Sequence, residues 1–246
     1  MQKQDGIFAV KKTFQLLSLM ASHNGTLTVS QIADHLQCSV SSATRFLQTL
    51  QEQGYVRKNQ QTGHYELNYK LYSLGSRLVR NDPIVEKLRP LAHEISQRFD
   101  ISVNINTMLD KNAILLLPVS RFYNKDLDFQ VGEIAPAYCT SSGKAILSQL
   151  SEDELNLYFD NLQLRSFQGN TYTEEGLRAE LQAARKNGYA VCREEYVSGV
   201  FSFSFPIRDL NDHLYAFTLI MPMRRKKEIF QPAILKEIRA RLKEVI

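Results

Sequence analysis

Cysteine is scarce in this 246-residue chain, where Cys38, Cys139 and Cys192 are the only three. They are odd in number and widely spaced, and no C-x-x-C pair occurs. That excludes a disulfide framework and argues against a zinc site. Long apolar runs are missing too. Stretches such as residues 113–117 fall far short of the ~20 residues that span a bilayer, so no membrane partner is expected. Lys3, Lys11 and Lys12 stand near the start, but the pattern around and after them is amphipathic. The expectation is therefore a cytoplasmic chain without a secretory leader. The histidines, at 23, 35, 64, 93 and 213, form no i, i+4 pair for a metal. Gly143-Lys144-Ala145 is no phosphate loop, because Ala145 replaces the required Ser or Thr and Tyr138 replaces the first Gly. No cofactor and no metal is implied.

What is present is ordinary globular material, 43% hydrophobic and 23% charged, with room for two modest domains. The net charge of +4 is unevenly spread. Residues 1–80 hold nine Lys/Arg against four acids, a net of +5, whereas the remainder nets −1. A basic module joined to a near-neutral one suggests a polyanion partner for the first. A solvated basic face without a partner is the alternative on charge alone.

Helical periodicity sharpens the choice. Phe8, Val10, Phe14, Leu17 and Met20 predict one apolar face of a first helix, ending at Asn24-Gly25. Thr28 and Gln31 have capping-box spacing and open a second helix carrying Val29, Ile32, Ala33 and Leu36. After Gln37-Cys38, Ser39 caps a third, with Ala43, Phe46, Leu47 and Leu50 inward and Gly54 as the stop. Two helices joined by about three residues outline a helix-turn-helix. The outward residues of the third helix are Val40, Ser41, Ser42, Thr44, Arg45, Gln48 and Thr49. Small hydroxylic residues at a helix start allow close approach to a groove and bond phosphates, and Arg45 can reach a guanine edge or a phosphate. Residues 55–58 and 64–67 then read as strands of a hairpin carrying Arg57 and Lys58, a wing beside the helix. Residues 1–68 are thus expected to bind double-stranded DNA through Thr28, Val40, Ser41, Ser42, Thr44, Arg45, Gln48, Arg57 and Lys58.

Residues 69–82 read as a linker helix with Leu71, Leu74 and Leu78 in a stripe. Asp82-Pro83 starts another helix, with Ile84, Leu88, Leu91, Ala92, Ile95 and Phe99 on one face. Such stripes are usually core, but in a dimeric regulator they can pair with a second subunit. From Ile101 the period drops to two. Strands are expected at 101–109, 113–119, 189–193, 200–208 and 214–221. Helices are expected at 142–149, 152–160 and 174–187, with a last one carrying Ile234, Ile238 and Leu242. The mixture predicts an α+β ligand-binding domain over 83–246. Tyr138, Thr140, Ser141 and Ser142 lead into a helix, where hydroxyls and free N–H groups suit a small polar acid or a hydroxylated metabolite. Glu194 and Glu195 look like strand neighbours pointing to opposite faces, which rules out a converging acid/base pair.

Several segments together resemble the IclR-type bacterial transcriptional regulators. They are residues 41–50 with Gly54-Tyr55-Val56, then Tyr65-Glu66-Leu67, Leu74-Gly75, Ser142-Gly143-Lys144-Ala145, and Gly188-Tyr189-Ala190 followed by Glu194-Glu195, Gly199, Pro206 and Asp209. The resemblance implies a homodimeric or tetrameric DNA-binding regulator, more often a repressor than an activator. It also implies a winged helix-turn-helix, a linker helix and a GAF-like effector domain. Ser141, Ser142, Cys192, Ser202 and Thr218 match positions that face the effector, and Tyr138 adjoins them. Two departures stand out. Cys192-Arg193 replaces an acidic position, and Phe201-Ser202-Phe203-Ser204-Phe205 replaces a strand of small residues. The rival reading is a redox sensor or small enzyme on a GAF-like domain, using Cys139 or Cys192.

Overall fold

The computed structural model describes residues 7–23, 27–121 and 129–246. The Asn24-Gly25 helix stop and Lys3 lie outside them. The chain divides into two compact units, Met1–Leu78 and Val79–Ile246.

In the first unit, α1 (Phe8–Ser22), α2 (Val29–Leu36) and α3 (Val40–Glu52) precede a hairpin of β1 (Val56–Lys58) and β2 (Tyr65–Leu67). Thr28 accepts from the Gln31 backbone N–H at 3.3 Å while its own N–H donates to Gln31 Oε1 at 2.9 Å, so the capping box starts α2. Gln37, at φ +49°, turns the chain out of α2, and Ser39 caps α3 by accepting from the Ser42 N–H. Leu16, Met20, Ile32, Leu36, Ala43, Leu47, Leu50 and Val56 fill the core. The expected face of α1 is corrected. Leu16 and Met20 point inward, while Phe8, Val10 and Phe14 are exposed. At 3.6 residues per turn, Phe14 lies roughly 140° around the helix from that pair. Alpha-1 therefore carries two apolar faces, and the unit's core uses one.

Helix α4 (Lys70–Arg80) buries no residue, with Leu74 and Leu78 52% and 77% exposed. Its stripe is not core of either unit. The following helix, α5 (Pro83–Phe99), is capped by Asp82 Oδ1, which accepts from the Ile84 and Val85 N–H groups.

The second unit is built on one antiparallel sheet. Its strands are β3 (Ser102–Leu109), β4 (Asn112–Val119), β5 (Ile134–Pro136), β6 (Ala190–Arg193), β7 (Val200–Arg208) and β8 (Leu214–Pro222), in the order β5-β4-β3-β8-β7-β6. Strand alternation gives the sheet two unlike faces. Val103, Ile105, Phe201, Phe203, Phe205, Phe217 and Leu219 pack with α5 and with Ile238 and Leu242 of α10 (Pro232–Val245). Asn104, Asn106, Ser202, Ser204 and Thr218 turn the other way, toward the layer of α6 (Ser141–Leu147), α7 (Glu152–Phe159) and α8 (Glu174–Asn187). Phe201 to Phe205 thus seals the core with its phenylalanines and lines the opposite face with its serines. Strand β5 and the four-residue helix α9 (Lys226–Ile229) are too short to show a period and were not expected.

Candidate functional site

Two sets of candidate residues need placing. On α3, Val40, Ser41, Arg45 and Gln48 are exposed, and Ser42 and Thr44 are half-buried. Thr44 donates its hydroxyl to the Val40 carbonyl at 2.8 Å, which holds it against its own helix. Arg45 accepts the Thr49 hydroxyl on its carbonyl at 3.0 Å, but its guanidinium has no hydrogen-bond or ion-pair partner among the described residues, so its five donors are unspent. The wing differs from expectation. Arg57 pairs with Glu66 across the hairpin, with Nε donating at 3.0 Å and Nη2 at 2.9 Å from the carboxylate. Hydrogen bonds from Asn59 and Arg57 hold the Glu66 carboxyl below the usual range. Lys58 sits 5.5 Å over the Tyr65 ring. The wing carries less free positive charge than its composition suggested. Thr28 is occupied by the α2 cap.

In the second unit, Ser141, Ser142, Cys192, Ser202 and Thr218 line one cavity of about 80 Å³, together with Asn104, Asn106 and Thr140. These residues come from α6 and its approach and from four strands, and the sheet register brings them together. Ser202 stands opposite both Cys192 and Ile220, and Thr218 lies between Asn104 and Ser204. Ser141 Oγ lies 2.8 Å from Ser202 Oγ and 2.8 Å from Ser204 Oγ. Ser204 Oγ is 2.9 Å from Thr218 Oγ1, which donates to Asn106 Oδ1 at 3.2 Å. Tyr138 stands apart from the cavity wall. Its ring packs edge-on to Tyr172, and its hydroxyl accepts the Arg165 N–H at 3.0 Å. Asn104 and Asn106 were missed, although they alternate with Val103 and Ile105 and so mark the polar face of β3.

The helix beside the cavity is held by groups whose roles the sequence left open. A Cβ on Gly143 would fall 2.3 Å from the Ala137 backbone, so only glycine lets α6 seat there. Lys144 is 2% exposed and donates to Glu180 at 2.6 Å and to Glu195. Burial opposes its ammonium, but the Glu195 and Glu180 carboxylates outweigh it and its pKa is raised. Strand β6 ends at Arg193, so Glu194 and Glu195 belong to the following loop rather than to a strand. They still do not form a pair, because Glu194 Oε1 accepts the Gly199 N–H at 2.8 Å while Glu195 holds Lys144.

Cys192, which lines the cavity, and Cys139 are both buried. Desolvation pushes Cys139 up to about 12, and Cys192 is raised by the same cause, with the Glu195 charge adding to it. Thiols so placed stay protonated and are poor nucleophiles. Among the described residues, no group of three or more His, Cys, Asp or Glu is placed to hold a metal. No described helix is long and apolar enough to cross a membrane.

A winged helix-turn-helix unit followed by an α+β unit with a cavity that gathers several polar side chains is the architecture of a ligand-responsive, DNA-binding transcriptional regulator. The chain belongs to the IclR family of bacterial transcriptional regulators. Residues 76–245 match the IclR C-terminal domain, and residues 9–60 match the IclR helix-turn-helix domain. The chain is similar to the transcriptional repressor IclR of Escherichia coli, at 24% identity over 78% of this chain and 71% of that one. IclR of Thermotoga maritima superposes with a TM-score of 0.69 at 28% identity, covering 96% of this chain and 94% of that one. An IclR homologue from Microbacterium hydrocarbonoxydans, solved with 4-hydroxybenzoate, shares the fold with a TM-score of 0.78 at 19% identity, over 96% and 95% of the two chains.

Proposed function

We propose that this regulator is a repressor, that it binds a near-palindromic operator as a dimer or tetramer, and that a small metabolite in the second-unit cavity sets its operator affinity. Residues 1–68 contact DNA, 69–82 link, and 83–246 bind the effector and contribute to assembly. The observation that carries the effector assignment is the convergence of Ser141, Ser142, Cys192, Ser202 and Thr218, from distant segments, on one cavity whose other walls include Leu115, Val200 and Ile220. Concave, mostly apolar pockets with a few converging polar groups are the usual form of small-molecule sites. The cavity is about half the ~150 Å³ that accommodates benzene, which favours a compact ligand.

Self-association is supported by large apolar side chains left exposed on the described helices. Phe8, Phe14, Tyr72, Leu74 and Leu78 are all more than half exposed. Two-fold pairing of such helices covers them and fixes the spacing of two DNA readers. The chain acts in the cytoplasm, where bacterial operators lie, and carries no catalysis. Its buried thiols are held protonated, and both carboxylates of the Glu194-Glu195 pair are committed to protein partners.

The test is direct. The full chain is expected to select genomic fragments in a salt-sensitive manner and to release them with a metabolite extract. Ser141→Leu should retain the DNA and lose the release. Release unchanged in Ser141→Leu would remove the cavity from the mechanism.

A further inference from the structure

Two cations stand on the strands of the wing, and the hairpin register gives each a neighbour. Arg57 lies directly opposite Glu66, and Lys58 directly opposite Tyr65. Successive side chains of a strand point to opposite faces. Val56 and Tyr65 belong to the core of the unit, and Lys58 shares their face, with its ammonium 5.5 Å over the Tyr65 ring. Arg57 and Glu66 therefore share the outer face. Arg57 is the cation that β1 turns away from the core.

That outer pair is closed. Glu66 Oε2 accepts from Arg57 Nε at 3.0 Å and lies 2.9 Å from Nη2. Glu66 Oε1 accepts from Asn59 Nδ2 at 3.1 Å, and Asn59 Oδ1 in turn accepts the Gln61 and Thr62 N–H groups of the wing tip. The carboxylate is the better anchored member, with its side chain 20% exposed against 56% for Arg57. The guanidinium keeps unspent N–H donors, but a carboxylate in contact offsets the charge that draws a phosphate. Among the described residues of this unit, Arg57 is the one cation joined to a carboxylate. Lys12 and Lys70 donate instead to the Leu36 and Gln53 carbonyls, at 2.6 and 2.7 Å, where no acid opposes their charge.

We infer that Glu66 is a positioning residue that holds the Arg57 guanidinium off the phosphate backbone, so that the wing adds shape but little charge to the grip on duplex DNA. This rests on residues 1–68 being the unit that contacts DNA. Phosphate contacts supply sequence-independent affinity, whereas base contacts supply discrimination. Withholding Arg57 weakens the first and leaves discrimination to α3. Glu66 thus sets how loosely the chain holds random DNA.

The experiment follows binding of the full chain to a mixed-sequence duplex by fluorescence anisotropy across a salt series. Each phosphate neutralised steepens the slope of log K against log salt by ~0.9. Glu66→Gln keeps an acceptor for Asn59 and removes the charge. Its slope should be steeper than wild type by about that amount, with binding roughly three- to tenfold tighter near 0.1 M salt. Adding Arg57→Gln should abolish the gain. Asp34→Asn makes the same change of net charge at an exposed residue of α2 but frees no arginine, so it should give less than about half of that slope change. Circular dichroism verifies the fold of each variant. A second reading needs no variant: the wild-type Arg57 Nε–H resonance should keep its position when duplex is added, because Glu66 retains it. An unchanged slope in Glu66→Gln would overturn the inference, as would a gain that survives Arg57→Gln or is matched by Asp34→Asn. So would an Arg57 Nε–H resonance that moves with duplex. Each of these leaves DNA binding itself intact. Absence of salt-sensitive binding in the wild type is the separate failure that removes the DNA-contacting unit, and the role of Glu66 with it.

Discussion

Single residues divide into those read by position and those read only by surroundings. Arg45 was legible. It sits on the polar side of a helix whose apolar side is unambiguous, and its guanidinium has no described partner. Arg45→Ala is expected to weaken operator binding by about 1–3 kcal/mol and to reduce discrimination against random duplex, as measured by fluorescence anisotropy. Equal losses on both DNAs would make it a phosphate contact. Gly143 and Lys144 were visible as a motif, but their physical reasons were not. Gly143→Ala drives a methyl group into the Ala137 backbone, so urea unfolding should show a loss of about 2–3 kcal/mol. Lys144 has its folded pKa raised above the ordinary 10.5. Its contribution is complete below pH 10.5 and is lost as pH rises through the folded value. Above pH 10.5, stability should therefore fall more steeply in the wild type than in Lys144→Met, as followed by thermal melts across pH. Parallel profiles would show the ion pair to be without net worth.

Among elements, those with a sustained period were recovered almost residue by residue. Strand β7 was placed at 200–208, and α8 at 174–187 with Gly188 as its stop, and the structure gives both the same bounds, with Thr173 as the cap of α8. Helices α1 and α4 were placed correctly but given the wrong surroundings. Periodicity reports that an apolar face exists, and it does not say whether this chain or another covers it. The wing shows the same limit in charge, since Arg57 counts as basic in composition but is neutralised locally by Glu66. Leu74→Asp with Leu78→Asp is expected to leave the melting temperature of the second unit unchanged while shifting the chain toward monomer. Analytical ultracentrifugation reads that shift, and an unaltered mass would place the subunit contact elsewhere. Thr28→Ala removes the α2 cap and should cost about 1 kcal/mol in chemical unfolding.

For the molecule as a whole, the proposed function is a coupling between a DNA reader and a cavity in different units. Coupling of ~1–3 kcal/mol would change operator affinity roughly 5–150-fold. Ser202→Leu fills the cavity and should abolish that change while operator binding without effector persists, as tested by titrating DNA with and without the effector. The two-unit organisation was legible from the charge asymmetry and the change of period at Ile101. The convergence on one cavity came from the resemblance, because no local pattern brings β3, β6, β7 and β8 to one place. Sheet register does that, and register is a property of the folded chain.

The division of labour along β7 reaches beyond this one protein. Its phenylalanines belong to the core and its serines to the cavity side, on opposite sides of one backbone. If the cavity is the sensor, as proposed, replacements at Ser202 should retune what is sensed without touching the layer that keeps the domain intact. A scaffold arranged this way offers evolution, or an engineer, a biosensor whose selectivity and robustness are varied independently.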